Sequence, residues 1–147
     1  MEADDEAIYR KHSGDLIRYA AVLVGPDRAE DVLSSVMVRI LCRRSLSSLD
    51  EPRAYLFRSV LNESRGMLRQ RHSIPIAPQK AAVVLSEPDW DVVQAVAKLP
   101  ARQRAAVFLR YWEDLSVVEV ADLMGARAGT IKRYLHLARG SLKGTLS

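Results

Sequence analysis

The chain has 147 residues, 48% of them hydrophobic and 27% charged, with a net charge of +4. That length suits one ordinary domain or two small ones with thin cores, and no apolar run is long enough to span a bilayer. The acidic start MEADDEAIY is the opposite of a basic secretory leader, so a cytoplasmic protein is expected. The single Cys42 excludes an internal disulfide and, without a close histidine pair, offers no metal set.

Charge is unevenly placed along the chain. Residues 1–51 hold ten acids and seven bases, residues 52–72 one acid and five arginines, and residues 102–147 four acids and eight bases. Two basic segments separated by a neutral to acidic stretch point to two nucleic-acid contacts on one chain.

A first helix is expected from Asp5 to Val24, where Ile8, Leu16, Ala20 and Leu23 share a face and Gly25-Pro26 closes it. Asp4, Asp5 and Glu6 suit the positive end of its dipole. Asp27 then caps a second helix, with Glu30 as the capping-box partner. Its pairs Val32/Leu33, Val36/Met37 and Ile40/Leu41 make a broad stripe for packing between helices. Asp31, Ser34, Ser35 and Arg39 fall outside the centre of that stripe, as a solvent face on periodicity alone, or as a partner-binding face.

The run RRSLSSLD from Arg43 to Asp50 is a loop by composition. Asp50 and Pro52 open a third helix, since proline is tolerated in a first turn. Leu56, Phe57, Val60, Ser64 and Met67 line one side of it, and Arg58, Asn62, Arg65 and Arg69 the other. Three arginines and an asparagine in a row can contact phosphates or bases. A solvated basic face remains the plain alternative, and a membrane-surface helix is disfavoured because the apolar side lacks the large aromatic anchors that favour the interface.

From His72 to Pro88 the pattern lapses, with Pro75, Pro78 and Pro88 and an Ala/Val run too short to stand as a helix. This stretch is the expected linker between two domains. Beyond it, Asp89 or Asp91 caps a helix carrying Val92, Val93, Val96 and Leu99, and Pro100 starts another near Ala101. That helix puts Val107, Phe108, Tyr111 and Trp112 in the core, and Arg102, Arg104 and Arg110 mainly outside. Together with Trp90, these aromatics supply the bulk of a small core.

The most informative stretch is LSVVEVADLMGARAGTIKRYLHLARGSL, Leu115 to Leu142. Ser116 and Glu119 form a capping box, Val120, Ala121, Leu123 and Met124 a buried side, and Gly125 a left-handed turn. In the second helix Ile131, Leu135, Ala138 and Leu142 recur as one apolar stripe. Opposite it stands Arg133, flanked by His136 and Leu137, with Thr130 and Lys132 at the margins. From Arg127 to Lys143 there are five bases and no acid, as a helix entering the major groove requires. A DNA-reading helix-turn-helix is expected, the alternative being a solvated hairpin with a basic face.

These segments resemble a known family, the extracytoplasmic-function (ECF) type of RNA polymerase sigma factor within the sigma-70 family. LPARQRAAVFLRYWEDLSVVEVADLMG followed by GTIKRYLHLAR resembles its region four. YRKHSGDLIRYAAVLVG, DRAEDVLSSVMVRIL and PRAYLFRSVLNESR resemble its region two. The resemblance implies an all-α protein of two small helical domains, residues 1–71 and 89–147, joined by a Pro-containing linker over 72–88. It implies no catalysis and no cofactor. The protein would dock on core RNA polymerase, recognise an upstream (−35) and a downstream (−10) promoter element, and direct transcription initiation.

By the same resemblance, Asp31, Ser34, Ser35 and Arg39 would meet the polymerase clamp, and the residues around Phe108 to Leu115 the flap. Arg127, Thr130, Lys132, Arg133 and His136 would read the upstream element. The loop Arg43 to Leu49 with Arg58, Asn62, Arg65 and Arg69 would handle the downstream element, and the linker would thread near the RNA exit path. Many members are held by an anti-sigma factor, which makes one a further implied partner.

The chain departs from the family at Ser34-Ser35, where Gln-Glu is common, and at Leu41 and Met67-Leu68, where aromatics are common. Arg133 and Tyr134 replace a frequent Ser and Arg. A stand-alone regulator that has lost polymerase binding, or a protein defined by a regulatory partner, are the competing classes. An enzyme is least favoured, since there is no phosphate-binding glycine loop and His12, His72 and His136 lie in separate contexts.

Overall fold

The structure is a computed structural model that describes residues 2–70 and 76–146, with side chains as far as Lys143. His72 and Pro75 of the expected linker lie outside the described residues. Every regular element among the described residues is helical.

The first half is built from α1 (Ala3–Val24), α2 (Pro26–Leu41) and α3 (Pro52–Gln70), packed on one another with a short 3-10 turn, Leu46–Ser48, against α1. Most of the expected stripes are buried: Leu16, Ala20 and Leu23 of α1, Val32, Leu33, Val36, Met37 and Ile40 of α2, and Leu56, Phe57, Val60 and Ser64 of α3, with Ile8, Leu41 and Met67 half-buried against them. Tyr19 packs its ring 5.1 Å from that of Phe57 at the centre. Asp5 exceeds its expected role at the helix dipole. It is buried, and its Oδ1 accepts from the Ser47 amide at 3.0 Å, which fastens the 3-10 turn to α1.

The start of α2 corrects the capping box expected at Asp27 and Glu30. Gly25, at φ 97°, is the cap residue and Pro26 the first helical position, with no side-chain cap bond. Proline at that position needs no amide partner, so Asp27 is left to pair with Lys80 at 2.9 Å.

A second correction falls in the expected linker. Pro78–Leu85 forms a helix, α4, where the sequence pattern predicts none. Pro78 opens it, Ser86 closes it in the left-handed conformation, and Ala81 and Leu85 are buried between α1 and α5. Tertiary burial stabilises a two-turn helix that would not stand alone.

The second half contains α5 (Trp90–Ala97), α6 (Ala101–Val107), α7 (Val117–Met124) and α8 (Ala128–Leu146). Asp89 is the cap of α5 and accepts from the amides of Asp91 and Val92. Helix α6 runs into a π-helical turn, Phe108–Trp112, in which the Glu113 amide reaches the Phe108 carbonyl at 3.0 Å. Trp90 and Tyr111, expected as core bulk, are 43% and 52% exposed, because the π turn rotates Tyr111 outward and Trp90 lies on the first, open turn of α5. The buried apolar residues of both halves nevertheless form one continuous core.

Candidate nucleic-acid and polymerase interface

The helix-turn-helix is built as its residues dictate. Ser116 Oγ accepts from the Glu119 amide at 3.1 Å, and Glu119 Oε1 accepts from the Ser116 amide at 3.1 Å, a reciprocal capping box. Hydrogen bonding of the Glu119 carboxylate to the Ser116 amide, and then to the Ser116 side chain, holds that carboxyl below its ordinary pKa. Gly125 ends α7 at φ 66°, and the Ala126 amide bonds back to the Ala121 carbonyl at 2.9 Å, which closes the helix with a 6→1 bond. The turn thus fixes where α8 begins.

On α8 the stripe Ile131, Leu135 and Ala138 is buried, with Leu142 half-buried. Arg127, Lys132, Arg133 and His136 project from the other side and are exposed, while Thr130 is half-buried at the margin. None of the three bases has a carboxylate partner among the described residues. Arg139, further along, donates to the Tyr111 hydroxyl at 3.2 Å and ties α8 to the π turn. Leu137, 43% exposed, shares the outward face. A helix with one buried stripe and an acid-free, donor-rich opposite face can approach a phosphate backbone and place side chains at base edges.

The row on α3 divides between two surroundings. Asn62 joins Arg39, Arg43, Arg44, Tyr55 and Ser59 around a groove of about 130 Å³ between α2, the following loop and α3. The Arg44 guanidinium lies 5.6 Å from the centre of the Tyr55 ring. Arg58 turns instead to the second half, donating from Nε to the Asp122 carbonyl at 2.8 Å and from Nη2 to the Asp122 carboxylate at 3.0 Å. Arg65 is half-buried and Arg69 exposed. Burial lowers the Arg65 pKa, reinforced by the neighbouring charges of Arg102 and Arg69.

The four residues of the expected clamp face also separate. Asp31 and Ser34 are exposed on the outer side of α2. Ser35 Oγ lies 3.0 Å from Glu63 Oε1 and Arg39 pairs with Glu63 Oε2 at 2.9 Å, so both brace α2 against α3. Periodicity did not single out Glu63, although it is the one acid among the five arginines of residues 52–72. Val38, 64% exposed, completes the outer face with Asp31 and Ser34 at helical spacing. A cleft of about 410 Å³ between α1 and α2 opens beside Ser34 and is lined also by Tyr9, Ser13 and Glu30.

In the second half, Val92, Val96, Val107, Trp112, Leu135 and Leu142 line an apolar groove of about 230 Å³ next to the π turn. The turn itself is held to the first half. Arg18 pairs with Glu113 at 2.9 Å and lies over the Phe108 ring, and burial raises the Glu113 pKa against the opposing pull of Arg18.

Arg104, expected mainly outside, is 2% exposed. Its guanidinium donates to the carbonyls of Val22, Leu23 and Leu99, each at 2.7 Å, and reaches that of Ala97 at 3.5 Å. Burial lowers its pKa to about 10, still far above neutrality, so the group stays charged among backbone acceptors. Among the described residues no cluster of His, Cys, Asp or Glu could hold a metal ion, and no helix is long and apolar enough to cross a membrane.

Residues 90–142 match the family described as Sigma-70, region 4. An RNA polymerase sigma-E factor of Streptomyces coelicolor is 30% identical over 152 residues, which cover 96% of this chain and 85% of that protein. The ECF RNA polymerase sigma factor SigL of Mycobacterium tuberculosis is 29% identical, covering 95% and 87%. The sigma factor RpoE of Bartonella quintana, solved in complex with the anti-sigma factor NepR, shares the fold. It superposes with a TM-score of 0.71 over 99% of this chain and 98% of its own, at 24% identity.

Proposed function

The chain belongs to the ECF type of RNA polymerase sigma factor, and from that premise we propose how its surfaces share the work. It is a promoter-specificity subunit, which binds core RNA polymerase and directs initiation at −35 and −10 promoter elements. The observation that carries this reading is the acid-free outer face of α8, held at a fixed angle by the capping box and the Gly125 turn, in a chain similar to sigma factors along nearly its whole length.

Arg127, Thr130, Lys132, Arg133 and His136 read the −35 element, with the bases gripping phosphate or guanine edges. The groove around Asn62, Arg43 and Arg44 receives the downstream strand, combining cationic groups with the Tyr55 ring as single-strand capture requires. Arg58, Arg65 and Arg69 extend that contact once Arg58 is free of Asp122. The outer face of α2, Asp31, Ser34 and Val38, meets the polymerase clamp, and Ser35 and Arg39 support it through Glu63. The apolar groove beside the π turn accepts the flap. The domains divide at residues 1–71 and 89–147, the protein acts in the cytoplasm, and an anti-sigma factor is a further partner.

The test is co-migration of the purified protein with bacterial core RNA polymerase on a native gel at near-physiological salt, where diffuse charge attraction is screened. A stable complex that weakens on Val38→Asp supports the assignment. Free migration of both components contradicts it.

A further inference from the structure

The donors of α8 do not stop at its reading end. Lys132, His136 and Arg139 follow one another at spacings of four and three, all exposed, so they run as a track along one flank of the helix. The track ends on an aromatic ring. Arg139 donates to the Tyr111 hydroxyl at 3.2 Å, and the Arg110 guanidinium lies 5.6 Å from the centre of the same ring. Tyr111 is nevertheless 52% exposed, rotated outward by a π turn, a feature frequently met at functional sites. Its ring is therefore held at the tip by one arginine and backed by another while much of its surface stays open. Lys132, Arg110 and Arg139 have no carboxylate partner among the described residues.

Phosphates alone would call for the cations and leave the ring unexplained. An apolar protein surface would cover the ring and leave the cations without counter-charge. A single nucleic-acid strand satisfies both, because its phosphates meet the cations and an unpaired base offers a face to the ring, which a duplex keeps stacked inside. We propose that Tyr111, Arg110 and Arg139 form a stacking site for an unpaired base, and that the flank of α8 guides the phosphates of that strand to it. Tyr111 and Arg139 also border the apolar groove beside the π turn, so a bound strand lies at the edge of the surface given above to the flap. The site itself stands on charge and geometry, whereas the source of the strand, an emerging transcript or displaced promoter DNA, rests on the functional reading above.

The purified full-length protein tests this with fluorescein-labelled oligouridine RNA and oligothymidine DNA of about twelve residues, titrated by anisotropy. Each titration is made in an Arg44→Ala background, which weakens the competing groove beside Tyr55. Tyr111→Leu should weaken strand binding by about tenfold, and Tyr111→Phe, which keeps the ring, should retain most of the affinity. Arg139→Gln should lower the slope of log affinity against log salt by about 0.7, the share of one phosphate contact on a single strand. Ultraviolet cross-linking followed by mass spectrometry should join the oligonucleotide to Tyr111. Tighter binding of the RNA points to the transcript as the strand, and tighter binding of the DNA to the displaced promoter strand.

Affinity unchanged by Tyr111→Leu, or cross-links confined to the first half, overturns the site. Both substituted side chains are exposed, so the fold is retained and the comparison is direct. Should strand binding follow Tyr111 while the protein never joins core polymerase, the functional assignment fails and the stacking site stands.

Discussion

Arg133 faces away from the buried stripe of α8, with no carboxylate paired to it among the described residues, so its guanidinium is available for a guanine edge. Arg133→Ala should relax selectivity at one base pair of the upstream element by about 1–3 kcal/mol, measured by competition binding against single-base variants. Equal weakening at every position would make it a phosphate contact instead. Tyr19 makes a different point about single residues. Its ring is fully buried, its hydroxyl has no hydrogen-bond partner among the described residues, and burial raises its pKa above the ordinary 10.0. Tyr19→Phe removes an unpaired polar atom and should stabilise the protein by about 1 kcal/mol, seen as a rise in Tm of about 2–4 °C. The sign of the pH effect follows: the folded phenol holds its proton where the unfolded one loses it. This stability is present below pH 10.0 and lost above it. The variant should lose less stability in alkali, and an unchanged alkaline profile would contradict the burial argument.

At the scale of elements, much of what acts within a few residues of chain is legible in the sequence. Ser116, Glu119 and Gly125 define α7 because a capping box and a left-handed glycine act within four residues of chain. The stripes of α1, α2, α3 and α8 were visible because burial repeats with the helical period. Helix α4 was not visible, since its stability comes from Ala81 and Leu85 meeting α1 and α5 rather than from its own sequence. The cap at Asp27 failed for a related reason: Gly25-Pro26 had already started the helix. The capping box also carries a pH signature. Glu119 titrates below its ordinary 4.5, so its stabilisation is present above that value and lost as the pH falls through the folded one. Glu119→Ala should lower Tm near neutrality, and the difference from wild type should vanish in acid. A pH-independent difference would mean that the carboxylate charge plays no part.

At the scale of the whole molecule, the sequence carried the two basic segments and their order, while the relation between them lay in residues that periodicity treats as surface. Arg104 looked like one of three outward arginines, and nothing local distinguishes it from Arg102. Two of its acceptors, the Val22 and Leu23 carbonyls, lie about eighty residues away and have no letter in the sequence. Glu63 bridging Ser35 and Arg39 is long-range in the same way. The central claim is that this chain gives core RNA polymerase its choice of promoter. The most direct test is transcription in vitro from a library of randomised templates by core polymerase with and without the protein, followed by sequencing of the transcribed templates. The account predicts enrichment, only with the protein present, of two short elements at one fixed spacing, with Arg133→Ala altering the upstream one alone. Transcripts drawn evenly from the library, or the same set with and without the protein, would contradict it.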